Sequence, residues 1–361
     1  MIVCWVHTRE RTYPVGIAPG LLEQLPQCLA RYDIPREHVL LLSDERVAQL
    51  YAEPLLRALE RARCRVRLLQ IPAGEESKSL QSLAHLYDQA LREPLDRRTL
   101  VLALGGGVVG DVAGMLAATL LRGLPFVQVP TTLLAQVDAA IGGKAGVNHV
   151  RGKNLIGVFY QPWAVFVDPE LLRSLPEREW ASGLAEVVKY ALIDGQPLRT
   201  LLRENWRGIE ERDPAILASL IERCVQIKAR IVAEDEREEN RRAVLNFGHT
   251  LGHALEAATR YERYRHGEAV AVGMWAACWL SARRYVDFPF AEAADLLERL
   301  PVPDWPRDVS FSELWPHLER DKKRQMSGLR FVLLRALGDP VLEFVRPEEA
   351  QEAWQWVQGK R

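Results

Sequence analysis

The sequence predicts an α/β nucleotide-binding domain with a parallel sheet over residues 1–175, followed by an all-α domain over residues 176–361. Three observations lead there. Short β-rich runs alternate with helical stretches through the first half, as in strands joined by helical crossovers. Beyond Pro176 the stretches are long, repeat at helical spacing and carry few strand signals. A glycine-rich turn at residues 105–111 lies between a strand and a helix of the first half, where phosphate-binding turns occur.

In chain order, the strand-like runs are 38–42, 65–71, 99–104 and 125–129, with helical stretches at 45–61, 79–92 and 108–121. Residues 100–104 are apolar without alternation, as expected of a strand covered on both faces. Further helices are expected at 177–192, 214–236, 244–259, 268–285 and 291–300, with the domain boundary near 173–178. Two domains of this kind leave a cleft, which is a usual place for a ligand.

With 361 residues the chain is long enough for two cores. Its 47 basic and 48 acidic residues leave a net charge of -1, which argues against a nucleic-acid partner or a polybasic membrane surface. The five cysteines, Cys4, Cys28, Cys64, Cys224 and Cys278, are scattered and never form a CxxC pair. Neither a disulfide framework nor a thiolate zinc site is expected, and a reducing cytoplasm is the expected location. The N-terminus lacks a secretory pattern, and the longest apolar stretch, 269–282, is shorter than the roughly 20 residues of a membrane span. Of the 47 basic residues only eight are lysines, and several of these stand beside glycines or polar residues. A lysine is a compact point charge where arginine is a planar fork, so the retained lysines are candidate site residues.

Gly105, Gly106, Gly107, Val108, Val109, Gly110 and Asp111 fit G-x-G-x-x-G between a strand and a helix. Glycines let backbone approach a pyrophosphate, and the helix start supplies free N–H groups. Two features differ from the usual dinucleotide turn. It comes around the fourth strand rather than at the first, and no acidic residue stands about 20 residues on to hold a ribose. Two other strand-following loops are candidates for the same ligand. In residues 72–78, Gly74 opens the turn, Glu75 suits ribose hydroxyls and Lys78 suits phosphate; Thr131 and Thr132 follow Pro130 at a helix start.

His249 and His253 are spaced i, i+4 on one helical face, His266 follows, and Glu186 lies upstream with Lys189 one turn later. Two histidines and a carboxylate suit Zn²⁺ or a similar ion with a position left open for substrate. The spacing does not choose which two histidines bind. Without a glutamate after the first histidine, a metalloprotease is disfavoured. Between these motifs, Gln136, Asp138, Gly142, Gly143, Lys144, Asn148, Arg151, Gly152, Lys153 and Asn154 make a stretch dense in glycine, lysine and asparagine. Such density offers donors to an anionic, hydroxyl-rich ligand. Arg122, Lys228, Arg242, Lys322 and Lys323 add cations.

The segments GGGVVGDVAG, RGLPFVQVPTTLLAQVDAAIGGKAGVN, GKNLIGVFYQP, LPEREWASGLAEVVKY, LNFGHTLGHALE and HGEAVAVGM together resemble 3-dehydroquinate synthase of the shikimate pathway. The resemblance runs from about residue 72 to 338, in order. It implies the fold of that family, Zn²⁺ or Co²⁺ on Glu186, His249 and His266, and a substrate contact for His253. It implies NAD on Gly74, Glu75, Lys78, Gly107, Val108, Val109, Gly110, Asp111, Thr131, Thr132, Lys144 and Lys153. Catalytic positions fall on Asp138, Lys144, Asn154, Lys189, Lys228 and His253. Substrate positions fall on Arg122, Lys144, Lys153, Asn154, Lys228, Arg242, Asn246, His253 and Lys323. In that family Arg122 matches a residue reaching the partner subunit's site, which implies a homodimer. The departures are small: Ala139 and Ala140 replace common serines, and Ala145 a usual threonine.

The resemblance further implies a carbon–oxygen lyase acting on 3-deoxy-D-arabino-heptulosonate 7-phosphate. An alcohol is oxidised by NAD⁺, phosphate is eliminated, the hydride returns, and an intramolecular aldol closes 3-dehydroquinate. The alternatives are a related sugar-phosphate cyclase and a metal-dependent glycerol or alcohol dehydrogenase. The Gly142-Gly143-Lys144 loop and Arg242 favour a substrate bearing a carboxylate.

Overall fold

The computed structural model describes residues 1–302, 304–322 and 328–360. The chain forms two compact units. One comprises Met1–Leu175 with Arg207–Arg237, the other Pro176–Trp206 with Glu238–Arg361.

In the first unit β1 (Ile2–His7) and β2 (Thr12–Ile17) form an antiparallel hairpin, and α1 (Leu25–Arg31) follows. Then β3 (His38–Asp44), α2 (Glu45–Arg61), β4 (Arg65–Ile71), α3 (Leu80–Ala90), β5 (Leu100–Gly105), α4 (Gly107–Thr119) and β6 (Phe126–Pro130) alternate. A second hairpin, β7 (Lys144–His149) with β8 (Gly152–Phe159), precedes β9 (Ala164–Val167). The main sheet runs β1-β2-β9-β6-β5-β3-β4 and is parallel apart from its first pair. Asp44 and Ser79 cap α2 and α3 by accepting from Val47 N at 2.9 Å and Ser82 N at 3.2 Å, replacing bonds the first helical turn lacks.

β5 is buried along its whole length. Val101 and Ala103 join one core with α3 and α4, while Leu100, Leu102 and Leu104 join the other with α1 and α2. The two-residue period of a strand sends alternate side chains to opposite faces, which is why an uninterrupted apolar run serves both layers. From β3 the chain winds outward to β4, then crosses back to β5 and β6 on the other side of β3. The winding therefore reverses between β3 and β5, and the carboxyl ends of strands at such a reversal are where open α/β sheets bind ligands.

After β9 the chain forms α5 (Glu177–Asp194) and α6 (Gln196–Glu210), and then α7 (Pro214–Glu234). α7 packs on β1, on β2 and on the π-helical turn Ala135–Ala139. Residues 207–237 were expected in the second domain; they belong to the first. Helical periodicity locates the helix but not what it covers, and here Leu217, Leu220, Ile221, Cys224 and Val225 are buried with the sheet rather than with the other helices.

The second unit also holds α8 (His249–Ala258), α9 (His266–Arg284), α10 (Phe290–Glu298), α11 (Phe311–Lys322) and α12 (Pro347–Gly359). To this helical set it adds a hairpin absent from the sequence expectation, β10 (Leu329–Ala336) and β11 (Asp339–Val345), turning at Gly338 with φ 88°. The helix expected from residue 244 starts at His249, because Arg241–Asn246 is a 3-10 turn and Gly248 is left-handed at φ 80°. α8 and α9 meet backbone to backbone: a Cβ on Gly273 would lie 1.9 Å from the Gly248 carbonyl oxygen, and one on Gly252 3.1 Å from that of Ala269.

Candidate active site

In the second unit, α5 buries Glu186 and Lys189 one turn apart, and the two side chains form an ion pair. The first turn of α8 supplies His249 and the second His253, while His266 is the first residue of α9. Glu186 Oε1 lies 3.6 Å from His249 Nε2 and 3.5 Å from His266 Nε2. Bonds of about 2.0–2.1 Å in a tetrahedral site put neighbouring donors about 3.4 Å apart, and both carboxylate–imidazole distances are close to that. The His253 ring joins them, its centroid 5.1 Å from that of His249 and 5.7 Å from that of His266. The ligand atoms of all three histidines fall within 4.8 Å of one another.

The opposite ring nitrogens hold the imidazoles in place. His249 Nδ1 lies 3.1 Å from the Phe247 carbonyl, and His266 Nδ1 lies 3.2 Å from Glu256 Oε2. Donation from each Nδ1 leaves Nε2 of a neutral ring free to face an ion beside Glu186. Glu256 was not singled out from the sequence, where it reads as one polar residue in a helix. Its only signal there is that it follows His253 by three residues. Glu256→Gln is expected to weaken metal affinity about 10- to 100-fold, measured by competition with a chromogenic chelator; unchanged affinity would remove the carboxylate from this role.

Burial holds the His249 imidazole down, to about 3. Burial opposes charge on His266 too, but hydrogen bonds to Glu186 and Glu256 outweigh it and lift the group to about 10. Below that value, and with no ion bound, His266 carries a proton that a metal must displace, whereas His249 does not. Metal affinity is therefore expected to rise with pH about tenfold per unit between about pH 7 and 9. A titration at several pH values checks this, and a flat profile contradicts it.

Just before α8, Arg242 is buried in the 3-10 turn, and Asn246 Nδ2 donates to Glu238 Oε1 at 3.1 Å. Lys323 lies outside the described residues.

In the first unit the three loops suspected of nucleotide binding follow β4, β5 and β6, so the parallel sheet brings them to one edge. Gly74 sits at φ 120°, a conformation that favours glycine, and opens the turn bearing Glu75 and Lys78. Lys78 is buried and pairs with Asp111 of α4. That pairing accounts for an acidic residue inside the glycine turn, where burial raises the carboxyl and Lys78 opposes only part of the rise. At three of its glycines the turn has no room for a side chain: a Cβ would stand 2.5 Å from Val109 at Gly105, 2.9 Å from Thr132 at Gly106 and 2.6 Å from Gln128 Oε1 at Gly110. α4 has no side-chain cap. Its opening N–H groups, around Gly107, Val108 and Val109, present the positive end of the helix. Thr132 Oγ1 accepts from Ala135 N at 3.1 Å, so it caps the next turn, and Thr131 beside it is buried.

The polar stretch that follows is the β7–β8 hairpin rather than a loop. It is tied to the first nucleotide loop: Asn148 Nδ2 donates to Glu75 Oε1 at 2.7 Å and Asn148 N to the Lys78 carbonyl at 2.8 Å. Asn154 N donates to Asn148 Oδ1 at 3.0 Å, with Asn154 at φ 56°. Lys144 is exposed at the start of β7 and Lys153 is half-buried on β8. Lys228 of α7 reaches Asp138, donating to its carbonyl at 2.6 Å and pairing with its carboxylate. Arg122 is exposed after α4 at φ 64°, between Leu121 at φ 47° and Gly123 at φ 125°. No described helix is long and apolar enough to cross a membrane.

A doubly wound sheet with a backbone-lined anion turn, in one chain with a histidine–carboxylate donor set, defines a class of nucleotide-using, divalent-metal enzymes. The chain belongs to the 3-dehydroquinate synthase family: the model of the family's N-terminal part matches residues 68–182 and that of its C-terminal part residues 183–324. A 3-dehydroquinate synthase of Salinibacter ruber is 47% identical, covering 98% of this chain and 96% of the relative. A solved 2-deoxy-scyllo-inosose synthase complexed with carbaglucose-6-phosphate, NAD⁺ and Co²⁺ superposes with TM-score 0.89 at 28% identity, covering 98% of this chain and 99% of its own. A 2-epi-5-epi-valiolone synthase of Streptomyces hygroscopicus with NAD⁺ and Zn²⁺ bound superposes with TM-score 0.86 at 29% identity and the same coverage.

Proposed function

We propose that this protein converts 3-deoxy-D-arabino-heptulosonate 7-phosphate into 3-dehydroquinate and phosphate. The observation that carries the reading is the spacing of Glu186, His249 and His266, 3.5–3.6 Å between carboxylate and imidazoles, in a chain of this family. Those three would hold the divalent metal, which when bound acidifies a coordinated alcohol. Gly74, Glu75, Lys78, Gly107, Val108, Val109, Gly110, Asp111, Thr131 and Thr132 would hold NAD, with Lys144 and Lys153; NAD supplies reversible hydride acceptance. Arg122, Lys153, Arg242, Asn246 and Lys323 are substrate contacts in this reading. Asp138, Lys144, Asn154, Lys189, Lys228 and His253 carry the catalytic roles in this reading. Holding one conformer of a flexible substrate supplies much of the rate enhancement, and cations near the phosphate ease its departure. His253, which need not ligate the ion, is left to exchange a proton with a substrate hydroxyl.

The chain acts, in this proposal, as a cytoplasmic homodimer with Arg122 reaching the partner's site; a solution mass of two chains by light scattering tests it. For the reaction itself, purified protein given the heptulosonate phosphate and NAD⁺ is expected to release one phosphate per substrate with no net absorbance change at about 340 nm. A chelator is expected to stop release. Net NADH formation would point to an alcohol dehydrogenase, and turnover only of sugar phosphates without a carboxylate would point to another cyclase of the fold.

A further inference from the structure

We infer that the N-terminal β1–β2 hairpin positions Lys144 for the reaction, through Tyr13 and through the Gln161–Glu236 pair. The inference rests on the proposed role of Lys144 as a substrate contact. Lys144 opens β7 directly after a corner made by Gly142 at φ 92° and Gly143 at φ 67°. Two consecutive left-handed residues make a corner that glycine permits but does not enforce, so something else must hold it. Three contacts do. Gly142 N–H donates to the Tyr13 hydroxyl at 3.0 Å. Tyr160 N–H donates to the Gly143 carbonyl at 2.7 Å. The Gln161 amide fills the space a Gly143 side chain would take, its Cδ 2.6 Å from where a Cβ would be.

The support continues outward. Gln161 Nε2 donates to Glu236 Oε1 at 2.7 Å, and Glu236 Oε2 accepts from Arg9 N at 2.8 Å. Arg11 lays its guanidinium 4.3 Å over the Trp163 ring, fastening the same hairpin beside the same corner. Tyr13, Gln161 and Glu236 are all buried. Burying a phenol, an amide and a carboxylate is costly unless each is paired, and two of the three spend hydrogen bonds or contact on the turn that launches Lys144. Tyr13 and Arg9 lie before residue 68, where the match to the family's N-terminal model begins. Their described contacts run to the Gly142–Gly143 corner and its support, so they act as positioning residues.

Without the Tyr13 hydroxyl, the buried Gly142 N–H loses an acceptor and the corner relaxes. A displacement of about an ångström at a substrate-holding group is enough to cost rate without unfolding anything. The test is a double-mutant cycle of Tyr13→Phe with Lys144→Ala, read as kcat/KM by phosphate release. Tyr13→Phe alone is expected to lower kcat/KM about tenfold, with the NAD dissociation constant unchanged and the thermal midpoint within about 5 °C of wild type. In the double variant the loss should barely exceed that of Lys144→Ala, because the hydroxyl acts through the lysine. Multiplying losses, or an unchanged single variant, overturn the inference while leaving the proposed function standing. A wild-type protein that releases no phosphate overturns both. If Tyr13→Phe folds poorly, Glu236→Gln in the same cycle reads the other arm of the support, with the same expected and overturning results.

Discussion

His249→Ala is expected to lower bound divalent metal from about one ion per chain to under a tenth, and turnover at least about a thousandfold. In the proposed reading it is the buried one of the two imidazoles that flank Glu186, with its ring held by the Phe247 carbonyl. Two remaining donors do not hold a divalent ion against water as three do. His253 stands close enough to be a substitute ligand, since its ligand atom lies within 4.8 Å of those of His249 and His266. It is one turn further along α8, however, and it carries no role as a metal donor in the proposed reading. The matching variant His253→Ala should therefore keep its metal while losing activity. Metal content by atomic spectroscopy, read beside phosphate release, separates the two. Full occupancy and a normal rate in His249→Ala would remove the metal site from the reading altogether.

Gly273→Ala is expected to cost about 3 kcal/mol and about 10 °C of thermal midpoint. On helix propensity alone the change should help by about 1 kcal/mol, because alanine loses less backbone freedom than glycine. Packing decides the sign. The new methyl would lie 1.9 Å from the Gly248 carbonyl oxygen and 2.9 Å from Gly252 N, and those atoms are backbone rather than the yielding end of a side chain. α8 would have to back away from α9, carrying His249 from His266. Loss of stability and loss of metal are thus expected together, and a midpoint at or above that of wild type would show that the two helices have slack between them.

Much of this architecture can be read locally. The strand-like runs at 38–42, 65–71, 99–104 and 125–129 are β3, β4, β5 and β6, and a doubly covered strand such as β5 advertises itself by losing alternation. The glycine turn is legible because Gly105, Gly106 and Gly110 each avoid a specific collision. Less of the remainder was open to such reading. The β7–β8 hairpin hides behind Gly142, Lys144, Asn148, Lys153 and Asn154, whose side chains suit a ligand and obscure the ladder their backbone makes. The π-helical turn carrying Asp138 has no period of its own. α7 was visible as a helix, but its attachment to β1 and β2 is a contact between segments about 200 residues apart and leaves no local trace. At the metal donors, spacing pointed to three histidines and one glutamate without ranking them. It said nothing of Glu256, whose part depends on where α9 brings His266.

The excursion of the chain through α5 and α6 before α7 rejoins the sheet has a consequence for biogenesis. When a ribosome has delivered residue 175, every strand of the large sheet exists, yet β1 still lacks the helix that shields it. Burial of Leu217, Leu220, Ile221 and Val225 against it is worth about 1.5–3 kcal/mol for each side chain, a sum comparable to the whole stability of a domain. Nascent protein of that length displays a sticky apolar surface and must wait, or be chaperoned, until about sixty further residues emerge.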